Sequence, residues 1–349
     1  MLEHGKGGTV IERENLRAIE EEDHALRPRS FADFVGQRSV VANLRDYIQA
    51  ARARNEPIDH VLLSGMPGLG KTTLAHLIAA ELETEIQVTS GPVLERAGDL
   101  AGILTAQQRG AIVFIDEIHR MSRTVEEYLY SAMEDFKLDI VIDQGPAARS
   151  VRLDIERITL IGATTREGLL SGPMRARFGV MERLEPYAWA DLCVILKRSA
   201  GLLDVELTDE AAEAMARRSR GTPRVANRFL RRIRDFAEVA GTRKIDPAIC
   251  EEGLSRLGVD RHGLGALDRK VLQFLARQGG GPVGLKTIAV AVGEEPHTLE
   301  DVYEPFLIRE GFLAKTPRGR RLTEAAFEYL GEPVPRGWLE GSNGQDLLF

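Results

Sequence analysis

Gly65-Met66-Pro67-Gly68-Leu69-Gly70-Lys71-Thr72 reads G-x-x-x-x-G-K-T, and its flanks decide the fold. Before it stands His60-Val61-Leu62-Leu63-Ser64, a short apolar run that predicts a strand; after it, Thr73 to Leu82 has helical spacing. Strand, glycine loop and helix are the context of a phosphate-binding loop. Glycines let successive backbone N–H groups curl around phosphate oxygens, and the helix N-terminus adds unpaired donors. Lys71 is expected to reach the β- and γ-phosphates, and the Thr72 hydroxyl to hold Mg²⁺.

The second motif is Ala111-Ile112-Val113-Phe114-Ile115-Asp116-Glu117, a buried-strand run ending in two carboxylates. In an open parallel sheet ligands sit at the carboxyl ends of strands, so this pair is expected beside the loop. Asp116 then helps hold Mg²⁺, and Glu117 polarises the attacking water. Thr159 to Arg166 is another apolar strand with a polar tip, where Thr164 or Thr165 is expected to meet the γ-phosphate or the water. In Pro173-Met174-Arg175-Ala176-Arg177-Phe178-Gly179, Arg177 rather than Arg175 is expected to act across a subunit boundary on the transferred phosphoryl group. Gly221-Thr222-Pro223-Arg224 opens a basic helix, with Pro at an early helical position, and Arg224 is expected to face the γ-phosphate from a lid.

Working outward, short apolar runs alternate with amphipathic helices over residues 26–187, which predicts an α/β domain with a mainly parallel sheet. Residues 188–258 read as wholly helical, and 259–332 as a winged helix, its helices followed by a hairpin over Gly311 to Leu322. Residues 1–25 are polar and read as an arm, 333–349 as a Pro/Gly-containing tail. In the hairpin Lys315, Arg318 and Arg320 flank a glycine-bearing turn. They are expected, with His297 on the preceding helical run, to contact DNA phosphates, which positions a protein without reading sequence. Residues 138–155 alternate around Gln144-Gly145-Pro146 as an inserted hairpin, whose apolar face (Ile140, Ile142, Val151, Leu153) invites a partner protein.

The 349 residues suggest two or three domains, and the net charge of −7 excludes a wholesale polycation but not a local basic patch. Two distant cysteines, Cys193 and Cys250, argue against a disulfide scaffold or zinc site. The N-terminus lacks the apolar core of a signal peptide, and no apolar run approaches membrane-spanning length, so a cytoplasmic protein is expected.

Together these motifs resemble the AAA+ ATPases. Leu26-Arg27-Pro28, Asp33-Phe34-Val35-Gly36-Gln37, Phe114 to Arg120, Met133-Glu134-Asp135-Phe136, Gly145 to Ser150 and Gly162-Ala163-Thr164-Thr165-Arg166 resemble, more narrowly, the RuvB family of Holliday-junction branch-migration motors. Met66 departs from the proline usual in that family's loop, at a position that contributes backbone more than side chain. The resemblance implies an AAA+ ATPase domain, an α-helical lid and a winged helix. It implies ATP and Mg²⁺ as ligands, with Gly68, Gly70 and Thr73 joining Lys71 and Thr72. It puts Leu26, Arg27, Glu134, Asp135, Phe136 and Tyr187 near the adenine. It further implies a homo-hexamer acting on junction DNA during recombination and repair, RuvA docked on the 138–155 hairpin, and the resolvase RuvC as a further partner. The rival readings are an ATP-switched DNA-binding initiator or loader, disfavoured by the inserted hairpin, and a peptide-remodelling ATPase, disfavoured by the winged helix.

Overall fold

Among the described residues up to Arg183 lie seven strands: β1 (Val61–Ser64), β2 (Ile86–Ser90), β3 (Ile112–Asp116), β4 (Lys137–Ile142), β5 (Arg149–Asp154), β6 (Thr159–Thr164) and β7 (Val180–Arg183). Five of them form a parallel sheet in the order β2-β3-β6-β1-β7, and β4 pairs with β5 apart from it. This computed structural model describes residues 25–142 and 149–335. The central strands are apolar without alternation because both faces of a parallel sheet are covered by helices. Val61, Leu63, Val113, Phe114, Ile115 and Ile161 are all buried. On the flanks lie the helices Arg38–Arg54, Lys71–Leu82, Ala97–Thr105 and Arg123–Glu134. The last begins where the Ser122 hydroxyl accepts a hydrogen bond from Val125 N at 3.3 Å, and it buries Val125, Leu129, Ala132 and Met133.

Register makes the sheet two-ended. Ser64 lies beside Thr164 and Arg183, and Ser90 beside Asp116, so the carboxyl ends of five strands share one edge. The opposite edge carries the segments that enter the strands. There His60 accepts a hydrogen bond from Leu160 N through Nδ1, and its Nε2 lies 3.2 Å from Met133 O; Val180 N donates to His60 O. The helix Arg123–Glu134 therefore ends at the amino edge, and the chain continues into the antiparallel hairpin of β4 and β5.

The chain divides into two compact units. The first runs through Asp204 and includes the tripeptide Thr222–Arg224; the second holds Val205–Gly221 and everything from Val225 onward. In the second unit, the expected all-helical segment contains a two-residue parallel pairing, β8 (Glu206–Leu207) with β9 (Lys244–Ile245), too short to leave a periodicity. The winged helix packs Ala266–Arg277, Leu285–Val292 and Glu324–Leu330 around Leu272, Leu275, Phe306, Leu307, Leu313, Leu322 and Phe327. Its wing pairs β10 (Leu313–Thr316) with β11 (Gly319–Leu322), and a bridge from Val283 to Arg320 adds a third strand position. The helical run that carries His297 comprises Pro296–Thr298, a wide turn over Leu299–Tyr303, then Glu304–Arg309. Pro305 lacks an N–H and crowds the carbonyl four residues earlier, which loosens that turn.

Candidate nucleotide site

The loop between β1 and the helix Lys71–Leu82 bends through three left-handed glycines: Gly65 (φ 137°), Gly68 (φ 80°) and Gly70 (φ 103°). Two are also sterically required. A Cβ on Gly65 would stand 2.6 Å from Leu184 O, and one on Gly68 would stand 2.7 Å from Thr222 Cγ2 and 3.0 Å from Arg224 Cβ. The loop thus threads between the segment after β7 and the tripeptide carrying Arg224, all in the first unit.

Lys71 is only 7% exposed, and its Nζ donates to Gly65 O at 2.7 Å and Met66 O at 2.9 Å. Its pKa is lowered to about 8, chiefly by burial; the nearby carboxylates of Asp116 and Glu117 oppose the shift and Arg224 adds to it. Sequence-distant Lys71, Asp116, Glu117 and Arg224 are thereby brought into one electrostatic neighbourhood. A desolvated ammonium at the mouth of a glycine loop favours an anion beside it, so these residues fit a nucleotide's phosphates. Asp116 ends β3 half-buried, its Oδ1 accepting from Glu117 N at 2.9 Å; Thr72 is half-buried in the first helical turn. This pair of oxygens fits a magnesium ion that also takes phosphate oxygens.

Glu117 adopts a left-handed backbone (φ 48°) and its Oε2 accepts from Arg120 Nη1 at 2.7 Å. Backing it is Gly91, where a Cβ would come within 2.4 Å of Glu117 O. Thr164 is fully buried: its Oγ1 lies 3.0 Å from His119 Nδ1 and accepts from Arg166 N at 3.0 Å. Thr165 is half-buried, one residue further out. Sequence reasoning gave Gly91, His119 and Arg120 no role at the site. Only the basic pair shortly after the acidic strand end hinted at the latter two.

Around the outer wall of the loop, the Tyr187 hydroxyl donates to Leu69 O at 3.2 Å, and the Gly70 Cβ position faces Phe34 and Tyr187. Burial holds the Tyr187 phenol well above its usual range. Arg198 donates to Leu26 O at 2.8 Å and Asp33 O at 2.6 Å, tying the start of the described chain to the same wall. Leu26, Arg27 and Tyr187 thus belong to the carboxyl-edge region; the Thr73 side chain is half-buried in the helix behind the loop.

Three expected adenine contacts lie elsewhere, and here the expectation is corrected. Glu134, Asp135 and Phe136 follow the helix that ends at the amino edge; Phe136 sits near His60, with ring centroids 6.4 Å apart, and under Arg157 at 5.5 Å. Arg177 joins them, its Nη2 donating to Glu134 Oε2 at 2.9 Å and its Nη1 to Pro173 O at 2.8 Å. The strand between the two edges is four residues long, roughly 13 Å at about 3.3 Å per residue. These groups lie at the opposite end of the sheet from their own chain's loop.

The hairpin face is graded. Leu138 is fully buried, Ile140 and Leu153 are half-buried against the core of their own domain, and Val151 is 38% exposed. Ile140 and Leu153 are thus in part core residues, with the remainder of each side chain exposed. Ile142 pairs in register with Arg149, and the turn over residues 143–148 falls outside the described residues. On the other face Asp139 and Arg152, register partners, form an exposed ion pair at 2.8 Å.

At the wing, Arg320 is corrected as well. Its side chain is 11% exposed and its Nε donates to Glu304 Oε1 at 2.6 Å, so it is an internal ion pair. Lys315 is exposed but shares Glu300 at 3.2 Å. Arg318, at the turn, and His297 are exposed.

Fold and site together define a P-loop α/β ATPase carrying an AAA-type lid and a C-terminal winged helix. Three family models match in tandem: the Holliday junction DNA helicase RuvB P-loop domain over residues 26–184, the RuvB AAA lid domain over 187–260, and the RuvB C-terminal winged helix domain over 261–331. The chain is 57% identical over 319 residues to the Holliday junction branch migration complex subunit RuvB of Myxococcus xanthus, covering 90% of this chain and 93% of that protein. Against the same subunit from Parabacteroides distasonis it is 56% identical over 312 residues, covering 89% and 92%. The solved structure of the Thermotoga maritima RuvB Holliday junction branch migration motor superposes with a TM-score of 0.82 at 50% identity, covering 89% of this chain and 100% of that one. The chain belongs to the RuvB family and is an ATPase motor subunit for Holliday-junction branch migration. No helix among the described residues is long and apolar enough to cross a membrane.

Proposed function

We propose that this chain works as a hexameric ring in which each ATP is hydrolysed between two neighbours, moving duplex arms through a junction held by RuvA, with RuvC as a further partner. The observation that carries this reading is the separation of Lys71 and Arg177 onto opposite edges of one sheet. An arginine held away from the loop of its own chain is placed to serve the loop of an adjacent one, and an arginine so supplied is worth about 10³–10⁵ in rate.

Lys71, Thr72, Thr73 and the glycine backbone hold the phosphates; Leu26, Arg27 and Tyr187 take the adenine side; Thr72 and Asp116 hold Mg²⁺. The ion, when bound, neutralises charge between the β- and γ-oxygens. Glu117 leaves Arg120 to accept the proton of the attacking water. Of the two threonines, Thr165 suits the phosphate better, because the Thr164 hydroxyl is buried and engaged by His119 and Arg166 N. The neighbour presents Arg177, with Glu134 to Phe136 beside it. Arg224 belongs to the ATPase unit while Gly221 and Val225 on either side belong to the second, so phosphate state and lid orientation are linked through a tripeptide. Val151 and the outer part of the hairpin offer the RuvA contact. Arg318 and His297 are the DNA-facing candidates.

Mixing subunits tests the reading. Arg177→Ala rings and Lys71→Ala rings should each be inactive, and their mixture should recover ATP hydrolysis, because intact loops meet intact fingers. Mixtures that stay as inactive as their parents would remove the reading.

A further inference from the structure

Arg177 is held by more than its own short helix. Its guanidinium carbon lies over the Tyr130 ring, 4.5 Å from the centroid, and its side chain is largely buried. Tyr130 is itself pinned. Its hydroxyl donates to Glu126 Oε1 one turn earlier on the same helix and lies 2.7 Å from Ser171 Oγ. Ser171 donates to that same carboxylate oxygen and accepts from Met174 N at 3.2 Å, capping the helix Gly172–Ala176 that delivers Arg177. Two hydroxyls thus converge on one carboxylate, and the arginine-bearing segment is fastened at its cap and at its tip to the helix Arg123–Glu134.

Stacking on a ring leaves the in-plane N–H edges of a guanidinium available. Here those edges are engaged by Glu134 and Pro173 O, while Nε is buried with no hydrogen-bond partner among the described residues. An in-plane partner can therefore be exchanged without disturbing the stack: carboxylate at rest, phosphoryl oxygen on engagement.

We propose that Tyr130, fixed by Glu126 and Ser171, is the positioning residue of the arginine finger, its ring setting where Arg177 is presented to the neighbouring subunit. The inference rests on Arg177 acting in trans. Burial first, and the bond to Glu126 next, keep the phenol above its ordinary pKa, so it stays a proton donor at neutral pH.

The test places Tyr130→Leu separately in each partner of the mixed rings. In the Lys71→Ala subunit, which lends its finger, it should cut the recovered turnover about tenfold or more, with the KM for ATP little changed; misplacing a catalytic group by about 1 Å can cost about 10²-fold. In the Arg177→Ala subunit, which lends only its loop, the same change should leave turnover within about twofold. Tyr130→Phe, which keeps the stack and loses the anchoring hydroxyl, should recover activity well above the Leu variant but below the Tyr130 parent in the lending position. Equal losses in both positions, or failure of Phe to rescue a variant that melts normally, would show Tyr130 to be ordinary packing. If the unmodified mixture recovers nothing, the trans reading itself falls and takes this proposal with it.

Discussion

The carboxyl edge of the sheet and the wing of the last domain both carry clustered cationic residues, yet they use them in opposite ways. At the edge, Lys71 is buried, desolvated and near carboxylates set at fixed strand ends, so its charge is reserved for a ligand. At the wing, Arg320 and Lys315 have found Glu304 and Glu300 in their own domain, and Arg318 at the turn carries the exposed charge. A cation held by backbone geometry keeps its chemistry; a cation on a flexible stem takes the nearest anion.

The sharpest way to break that contrast is Lys71→Met. ATP hydrolysis should fall by a factor of about 10³ or more, since the group that meets developing phosphate charge is gone. The nucleotide-free protein should nonetheless gain stability at pH 7. With a folded pKa of about 8 against an ordinary value of 10.5, the folded state disfavours the protonated lysine. That deficit, on the order of 3 kcal/mol, is fully present below about pH 8 and is relieved as pH rises from there through the unfolded value. Thermal melts of both proteins at about pH 7 and about pH 9.5, either side of the folded value, measure it: a variant that melts lower at the lower pH contradicts the buried-charge account.

Next in size is the wing pair. Arg320→Ala leaves Glu304 buried without its partner and should cost about 3 kcal/mol, seen as a lower denaturation midpoint for the winged helix. Its effect on the salt dependence of DNA affinity should be small. A steep change in that dependence without destabilisation would return Arg320 to the DNA. Thr165→Val should slow hydrolysis about tenfold or more with ATP binding retained, and the reverse ordering, with Thr164→Val harming turnover while the fold is intact, would move the sensor inward. Smallest is Arg318→Ala: a few-fold loss of duplex affinity, uniform across sequences, with the salt slope reduced by about one.

The sequence was most legible where backbone conformation carries the function. Gly65, Gly68 and Gly70 announce the loop because few residues tolerate their dihedrals, and an apolar run ending in Asp116-Glu117 announces a strand end. It was least legible where meaning depends on which end of the sheet a segment reaches. Glu134 to Phe136 and Arg177 are far apart in the chain, and only the direction of the helix Arg123–Glu134 and the register of β7 place them together, away from the loop. Charge counting at the wing could not reveal that Glu300 and Glu304, about one helical turn apart, face the hairpin. The apolar alternation of β4 and β5 likewise could not show that its inner part is core while Val151 is surface.

With Lys71 and Arg177 at opposite ends of the sheet, the proposed reading gives each subunit a head and a tail. Surfaces of that kind join front to back, and such joints close only as rings or run on as filaments. On that reading catalytic competence is a property of population: specific activity should climb with protein concentration and level off once neighbours are always present, and dilution alone should silence the motor.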